Sequence, residues 1–294
     1  HQDEPSWTEF MPGTAWSVEN LLTDDECQRL IDAAQKQGIR DLEFMGDTRH
    51  RQRVRVRLGD QNEGGCLPDD ILFKLWGRIK DKIPQEIVID NETLECNEGF
   101  RHVASSDCIV GRWRPTRLHP SVNVARCMGK GHLAAHRDAE IIVSENERSF
   151  LTINGYLTNR PQGSGGATRF LRDGITVKGA DISIDEETDV LYRVESDKAG
   201  KAVVFLHGLV HDGEPLVEGS PEKWIFRSTV YYQRDPETAP QRTPKEIEAR
   251  KLLKQAEEAE ESGLISEAIA LYRKAYRLDP SLEQYEQQEL FFQK

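Results

Sequence analysis

The sequence has no long apolar run, and no stretch approaches the roughly 18 residues that a membrane-spanning helix requires. We therefore expect no membrane association. The five cysteines are scattered and include no Cys-x-x-Cys pair, so neither a zinc ribbon nor a disulfide framework is indicated. No segment has the pattern of a signal peptide, which favours a cytoplasmic or nuclear compartment. The sequence starts at His1 rather than at a methionine, so a targeting segment could have preceded it.

Positive charge is also in short supply. The 39 Lys and Arg residues face 51 Asp and Glu residues, and the net charge of −12 disfavours binding to nucleic acid. The exception is a segment between residues 49 and 57, in which every second residue is an arginine. In a β-strand this alternation would make one face cationic. Such a face fits either simple exposure to solvent or the binding of an anionic ligand or acidic peptide.

Two amphipathic helices are predicted in the first third of the chain. Residues 23–38 open with a Thr-x-x-Glu capping box, carry apolar residues at helical spacing and end at Gly38. Residues 68–83 begin with a Pro-Asp pair and carry a second apolar stripe. Both helices therefore precede the region in which strands are expected.

From about residue 100 to residue 233 the pattern changes to short apolar or alternating runs separated by Gly, Asn and Asp. The runs are SVNVARCM, RSFLTINGYL, GATRFL, ITVKG, DVLYRV, KAVVFL and WIFRSTVYY. Strands of this length and spacing predict an all-β sandwich or barrel. We expect a mainly β protein with flanking helices, whose core is a double-stranded β-helix, the jelly-roll relative of the cupins.

The C-terminal part is predicted to be helical. A polar, proline-bearing linker at 234–244 leads into residues 245–282, which read as a helical hairpin split at a Ser-Gly pair. This segment resembles a tetratricopeptide or microtubule-interacting-type hairpin, such as that of some F-box-only proteins. It would either brace the larger domain or recruit a protein partner. The apolar side of its second helix is made by Leu264, Ile265, Ala268, Ile269, Leu271, Tyr272, Ala275 and Tyr276.

Three residues have the chemistry of a metal site. His136 and Asp138 are two residues apart, so in a strand both side chains would project from one face. Two histidines and one carboxylate bind iron in non-haem oxygenases and leave positions open for other ligands. We predict His211 as the third ligand, because it directly precedes Asp-Gly and is followed by Arg227 in an apolar strand. His207 is interpreted as an ordinary buried or surface histidine.

These motifs resemble the prolyl 4-hydroxylase-like branch of the iron(II)- and 2-oxoglutarate-dependent dioxygenases. The resemblance covers about residues 14–233 and would make this range the catalytic domain. It is carried by the His-x-Asp at 136–138, the helix TDDECQRLIDAAQKQG, and the segments LWGRIKDKIP, GSGGATRF, HDGEP and FRST.

The resemblance implies that Fe(II), 2-oxoglutarate and O2 take part in the reaction, with ascorbate in support. The expected reaction is hydroxylation, with release of succinate and CO2, and a prolyl residue of a protein is the first choice of substrate. A small molecule or another side chain stays an alternative, as does a non-catalytic barrel whose hairpin recruits a partner. Loops 42–66 and 139–149 would flank the mouth of the barrel and select the substrate.

The resemblance also implies how 2-oxoglutarate would be held. Arg227, with Thr229 beside it, would bind the distal carboxylate, while Tyr156 and Thr168 would line the same pocket. Lys223 is the alternative carboxylate partner, because collagen-type relatives use a lysine followed by tryptophan. We favour Arg227, since a guanidinium matches a carboxylate with two parallel hydrogen bonds.

Overall fold

A computed structural model gives the fold for most of the chain. It describes residues 4–41, 51–58, 66–67, 69–90, 92–93, 100, 109–173, 175, 184–280 and 282. The strands are β1 (Ser6–Met11), β2 (Ala15–Glu19), β3 (Arg40–Asp41), β4 (Arg51–Leu58), β5 (Cys66–Leu67), β6 (Ile87–Ile89), β7 (Gly111–Leu118), β8 (Ser121–Cys127), β9 (Leu133–His136), β10 (Ile142–Ser144), β11 (Glu147–Tyr156), β12 (Thr168–Leu171), β13 (Val190–Val194), β14 (Ala202–Leu206), β15 (His211–Gly213) and β16 (Lys223–Arg234). The helices are α1 (Asp24–Gln37), α2 (Asp69–Ile79), α3 (Pro244–Glu261) and α4 (Ile265–Leu278).

Eight of these strands form the two sheets of a jelly roll. The larger sheet contains the order β14-β11-β16-β8, and the smaller sheet has the order β13-β12-β15-β9. The chain alternates between the sheets at nearly every step, because β8, β11, β14 and β16 lie in one and β9, β12, β13 and β15 in the other. This topology confirms the predicted double-stranded β-helix.

The larger sheet continues beyond the jelly roll on both sides. On one side β2 pairs with β14 and β1 pairs with β2, while on the other β4 pairs with β8. The hairpin of β1 and β2 was not predicted, and β1 begins at Ser6, ahead of the expected domain start at residue 14. Strand β7, also unpredicted, pairs with the C-terminal half of β16, where Val230 is opposite Leu118.

Helix α1 matches its prediction closely. Thr23 caps its N-terminus and forms a reciprocal capping box with Glu26, and Gly38, with φ of 83°, terminates it. The buried Glu26 carboxylate also accepts two hydrogen bonds from Arg78 of α2, at 2.6 and 3.0 Å. One acidic side chain therefore satisfies the start of α1 and joins the two helices.

Helix α2 is shorter than the predicted range of 68–83. It ends at Ile79, and the N–H groups of Lys80 and Ile83 still bond back to Trp76 and Ile79 in an irregular last turn. Ile83 is followed by Pro84, and a proline disfavours helical backbone at the residue before it. This proline explains why the apolar stripe outlasts the regular helix.

The main hydrophobic core lies between the larger sheet and these two helices. Leu30 of α1 and Leu75 of α2 are each 1% exposed. From the sheet, the ring of Phe150 packs edge-on against Trp113 at 5.1 Å and against Tyr232 at 5.6 Å between centroids. The β11 residues Phe150, Leu151 and Ile153 all belong to this core.

Most of the arginine-rich segment forms a strand, Arg51–Leu58. Strand β4 pairs with β8 so that Arg55 is the register partner of Asn123 and Arg51 that of Cys127. The proposed substrate loop at 42–66 thus contains a sheet strand. The predicted strand ITVKG falls outside the described residues except for Ile175, which lies in no strand.

The first half of the predicted linker at 234–244 is hydrogen-bonded to the larger sheet. Strand β16 extends to Arg234, and a short 3-10 helix follows at Pro236–Thr238. The N–H of Asp235 donates to the carbonyl of Arg112 at 2.8 Å, and the N–H of Arg112 donates to Thr238 Oγ1 at 2.9 Å. The segment therefore continues the sheet edge before the helices begin.

The C-terminal helices form the predicted hairpin, with small residues between them. Ala249 and Ala256 of α3 and Ala268 and Ala275 of α4 are all buried. The expected apolar side of α4 is wrong in part, because Leu264, Ile265 and Ile269 are each about half exposed. None of the described helices combines the length and apolar character that crossing a membrane would need.

The close packing of β11 on β16 predicts a strong response to a single methyl group. A Cβ at Gly155 would lie 2.1 Å from Cε1 of the buried Phe226 ring, so Gly155→Ala should destabilise the fold by about 1–3 kcal/mol. Gly77→Ala is the matched control, because no atom lies within 4 Å of its Cβ position. In this helical position alanine should stabilise by about 0.5–1 kcal/mol. Urea denaturation measures both, and equal midpoints would contradict the packing argument.

Candidate metal centre

Strand pairing in the smaller sheet brings the two predicted histidine ligands together. His211 at the start of β15 is the register partner of His136 at the end of β9, and their rings are 4.3 Å apart between centroids. The prediction assumed that Asp138 lies in the same strand as His136, but it lies just after the end of β9. Its N–H donates to the carbonyl of His207 at 3.0 Å, which returns the chain to the site after the strand ends.

The three predicted ligands converge on one point. One ligand atom from each of His136, Asp138 and His211 lies within 4.8 Å of the others. Asp138 Oδ1 is 3.5 Å from His136 Nε2, and Asp138 Oδ2 is 3.8 Å from His211 Nε2. Two imidazole nitrogens and one carboxylate oxygen are the donor set of a non-haem iron(II) site, so the residues fit that ion.

Both histidines are held in the tautomer that a metal requires. Nδ1 of His136 is 2.8 Å from the carbonyl of Ala134, and Nδ1 of His211 is 2.9 Å from the carbonyl of Leu209. A carbonyl only accepts, so each Nδ1 must donate, and in neutral imidazole the lone pair is then on Nε2. Burial lowers the pKa of His211 to about 3, so this imidazole is neutral at physiological pH.

Asp138 is an ionised carboxylate in a buried position. Burial by itself would raise the pKa of its carboxyl, but the Arg227 guanidinium, followed by His211, holds that pKa well below its usual range. Arg227 Nη2 is 2.8 Å from Oδ1, and the Thr152 hydroxyl donates to Oδ2 at 2.5 Å. The carboxylate therefore keeps its charge and is oriented at both oxygens.

A second cluster includes three of the predicted cosubstrate residues. The Tyr156 hydroxyl donates to Thr168 Oγ1 at 2.8 Å, and the Lys223 Nζ lies 5.3 Å from the centre of the Tyr156 ring. Lys223 is only 5% exposed and also donates to the carbonyl of Gly166. Burial raises the pKa of the Tyr156 hydroxyl, which stays protonated as a donor.

Arg227 does not belong to this second cluster. Its guanidinium contacts the metal ligand Asp138, so the buried cation near Tyr156 and Thr168 is Lys223. The two cations share β16 and are four residues apart, which separates them along the strand. The preference for Arg227 as the carboxylate partner therefore disagrees with where the structure places its charge. Thr229 is the register partner of Thr152.

Three polar atoms on β11 and β16 have no hydrogen-bond partner among the described residues. They are buried, and they are Asn154 Oδ1, Arg227 Nε and Thr229 Oγ1. Arg227 is the register partner of Asn154, and its guanidinium reaches Asp138 across the interior of the jelly roll. A buried polar atom without a partner costs about 1–3 kcal/mol, so this region fits a ligand rich in oxygen atoms.

His207 has a part in the site that its sequence context did not reveal. Its Nδ1 is 2.9 Å from Thr152 Oγ1, and its Nε2 is 2.8 Å from Ser149 Oγ. Burial lowers the pKa of His207 to about 4. His207 is a buried, hydrogen-bonded histidine outside the ligand set, as interpreted, and through Thr152 it also contacts the group that orients Asp138. Thr152 was also missed, although it is spaced by two and four residues from Asn154 and Tyr156 and therefore lies on the same face of β11.

Comparisons with known proteins give the following likenesses. The viral collagen prolyl hydroxylase of Paramecium bursaria Chlorella virus 1, solved with 2-oxoglutarate, is 17% identical with a TM-score of 0.41, covering 74% of this chain and 95% of that one. A Pseudomonas putida prolyl-4-hydroxylase is 17% identical with a TM-score of 0.43, covering 76% and 93%. A Trichoplax adhaerens prolyl hydroxylase, in complex with a hypoxia-inducible factor peptide, is 11% identical with a TM-score of 0.45, covering 79% and 89%. No protein-family model and no curated protein matches the chain.

The two buried neutral histidines predict how stability depends on pH. His207 and His211 have folded-state pKa values of about 4 and about 3, below the roughly 6.5 of an unfolded histidine, so the unfolded chain takes up protons first. Their contribution is present above the unfolded pKa and is lost as the pH falls below it, by about 2 kcal/mol per histidine near pH 5.

Urea denaturation of chelator-treated protein at neutral pH and near pH 5 measures this loss. A His207→Gln variant should lose less, because one of the two titrating groups is gone. A free energy of unfolding that is the same at both pH values would contradict the assignment of neutral histidines.

Proposed function

We propose that the protein is an iron(II)- and 2-oxoglutarate-dependent dioxygenase that hydroxylates a prolyl residue of a protein and releases succinate and CO2. The observation that carries this proposal is the convergence of His136, Asp138 and His211 at one end of the jelly roll, with a buried lysine beside Tyr156 and Thr168. A metal site and an anion site in one barrel are what this reaction class needs.

His136, Asp138 and His211 would hold the iron, which together with 2-oxoglutarate and O2 supplies the oxidising chemistry. The protein contributes a fixed ligand geometry. Nδ1–H bonds to backbone carbonyls fix the ring planes of both histidines, and the Thr152 hydroxyl and Arg227 fix the carboxylate of Asp138. With the three ligands on two neighbouring segments, the remaining coordination positions are left to cosubstrate and oxygen.

Lys223 is the proposed partner of the distal carboxylate of 2-oxoglutarate. Its ammonium group is buried, so an anionic ligand would bind it with little competition from water. The Tyr156 hydroxyl and Thr168 would add neutral hydrogen bonds to the same carboxylate. This proposal replaces Arg227 by Lys223 in the anchoring role, because Arg227 is already paired with Asp138.

Arg227 would instead face the middle of the bound cosubstrate. Its Nε, together with Asn154 Oδ1 and Thr229 Oγ1, offers one donor, one acceptor and one hydroxyl in a buried row. The Arg227 and Thr229 groups would donate hydrogen bonds to oxygen atoms of a keto acid and exclude bulk water from the centre. Thr229 would therefore still contact the cosubstrate, as the resemblance implies.

A peptide substrate is supported by the shape of the metal side of the barrel. The side chain of His136 is 23% exposed, whereas that of Asp138 is 2% exposed, so the site is open on the His136 side. The segment after Asp138 carries apolar side chains that are more than a third exposed, namely Ile141, Ile142 and Val143. This segment lies in the predicted substrate loop 139–149, and apolar surface there suits a peptide better than a small polar molecule.

The choice between the two cations can be measured by binding alone. Isothermal titration of 2-oxoglutarate into protein loaded with Mn(II) should give a dissociation constant that rises about 100-fold in Lys223→Met, because a buried charge pair is lost. Tyr156→Phe, which loses one neutral hydrogen bond, should weaken binding by about tenfold. Unchanged affinity in Lys223→Met, with strong loss in Arg227→Met, would restore Arg227 as the anchor.

The reaction itself is tested with proline-containing peptides, Fe(II), ascorbate and 2-oxoglutarate. Mass spectrometry should find a gain of one oxygen on a proline, and succinate should form in equal amount. His136→Ala should lose at least about 100-fold in turnover, because a metal ligand is removed. Full activity of this variant would refute the metal site, and oxygen gained only on another residue type would refute the substrate.

A further inference from the structure

A line of buried hydrogen bonds leads from the metal ligand Asp138 into the protein. The Thr152 hydroxyl contacts Asp138 Oδ2 at 2.5 Å and His207 Nδ1 at 2.9 Å. On the other side of the imidazole, Nε2 lies 2.8 Å from Ser149 Oγ. Thr152, His207 and Ser149 are 1%, 6% and 0% exposed, so water does not compete for these bonds.

Chemistry fixes the direction of each bond in this line. The ionised carboxylate of Asp138 can only accept, so the single hydroxyl proton of Thr152 must point to it. Thr152 Oγ1 must then accept from His207, which places the imidazole proton on Nδ1. In the neutral ring Nε2 is an acceptor, so Ser149 donates to it, and Ser149 Oγ accepts the N–H of Ile141 at 2.8 Å.

His207 holds Asp138 at two points. Its side chain acts on the carboxylate through Thr152, and its backbone carbonyl accepts the N–H of Asp138 at 3.0 Å. Its own N–H donates to the carbonyl of Phe150 at 2.9 Å, which ties it to β11. Because Asp138 lies beyond the end of β9, it has no neighbouring strand residue to hold it, and these contacts replace strand pairing.

We propose that Thr152, His207 and Ser149 form a positioning relay that orients the carboxylate of Asp138 and thereby sets the metal affinity of the site. The relay rests on the proposed metal site. None of its three members is a proposed metal ligand, and the side chains of Ser149 and His207 act on the carboxylate through Thr152. The expected effect of cutting it is a rise of about 10-fold to 100-fold in the metal dissociation constant, which is typical for groups that orient a ligand.

Cobalt(II) is the probe, because it gives a visible spectrum and needs no substrate. Titration of Co(II) alone into the chelator-treated 294-residue protein should show weaker binding in Thr152→Val, which keeps the shape but loses the hydroxyl. Thr152→Ser, which keeps the hydroxyl, should restore binding to within a few-fold of the original. A purely structural role would lower the melting temperature of the metal-free protein and leave the Co(II) dissociation constant unchanged.

Ser228→Ala is the matched control. Its hydroxyl is buried on the neighbouring strand β16 and has no hydrogen-bond partner among the described residues, so its removal should leave Co(II) binding unchanged. Should Thr152→Val fail to fold, His207→Asn and His207→Leu repeat the comparison. Asparagine can still donate to Thr152 from its amide nitrogen and should bind Co(II) more tightly than leucine does.

The outcomes separate the relay from the function on which it rests. Co(II) binding by the original protein and by Thr152→Val with equal affinity overturns the relay and leaves the metal site standing. Equal affinity in His207→Asn and His207→Leu overturns it as well. Absence of Co(II) binding by the original protein overturns the metal site, and the relay with it.

Discussion

The buried charge of Asp138 is the constraint on which the rest of the site depends. Asp138 is only 8% exposed, and a carboxylate buried to this degree can stay ionised only if a cation balances its charge and hydrogen-bond donors reach its oxygens. Arg227 from β16 supplies the charge and Thr152 from β11 supplies a hydroxyl, and both strands belong to the larger sheet. Asp138 itself follows β9 of the smaller sheet. One ionised group thus fastens the two sheets together where the metal ligands lie.

This arrangement also separates the roles of two cations on β16, Arg227 and Lys223. Arg227 is committed to Asp138, since removing it would leave an uncompensated buried carboxylate. If 2-oxoglutarate is the cosubstrate, as proposed, its carboxylate would need another cation, and Lys223 lies two repeats of the strand alternation before Arg227, on the same face. Tyr156 and Thr168 lie near Lys223. In the proposed function, this spacing would let Arg227 orient a metal ligand while Lys223 binds an anion.

Periodicity in the sequence was enough to predict α1, most jelly-roll strands and the His136, Asp138 and His211 set, because each follows from alternation, helical spacing or donor chemistry. It could not predict β7 or the β1–β2 hairpin, whose residues become strands by pairing with distant segments. The partner of Arg227 could not be predicted either. A cation within an apolar strand indicates that an anion must lie nearby, but it does not indicate which anion. Thr152 looks like any strand threonine, and only its distance to Asp138 shows what it does.

The two histidines of the site differ in exposure, and β15, which carries the more buried one, is joined to β12 by charged side chains as well as by strand pairing. Asp212, next to His211, receives two hydrogen bonds from Arg169, which also binds Glu186, so β12 and β15 are joined by charge as well as by backbone. The His211 side chain is 7% exposed, against 23% for His136. The His211 side of the site is therefore the more buried one, and the His136 side is more open to solvent. There the chain continues through Asp138 into the exposed apolar residues of loop 139–149. The relay through Ser149 and the N–H of Ile141 ends at the base of that loop, so contacts made there by a substrate would act on the same hydrogen bonds that orient the metal ligand.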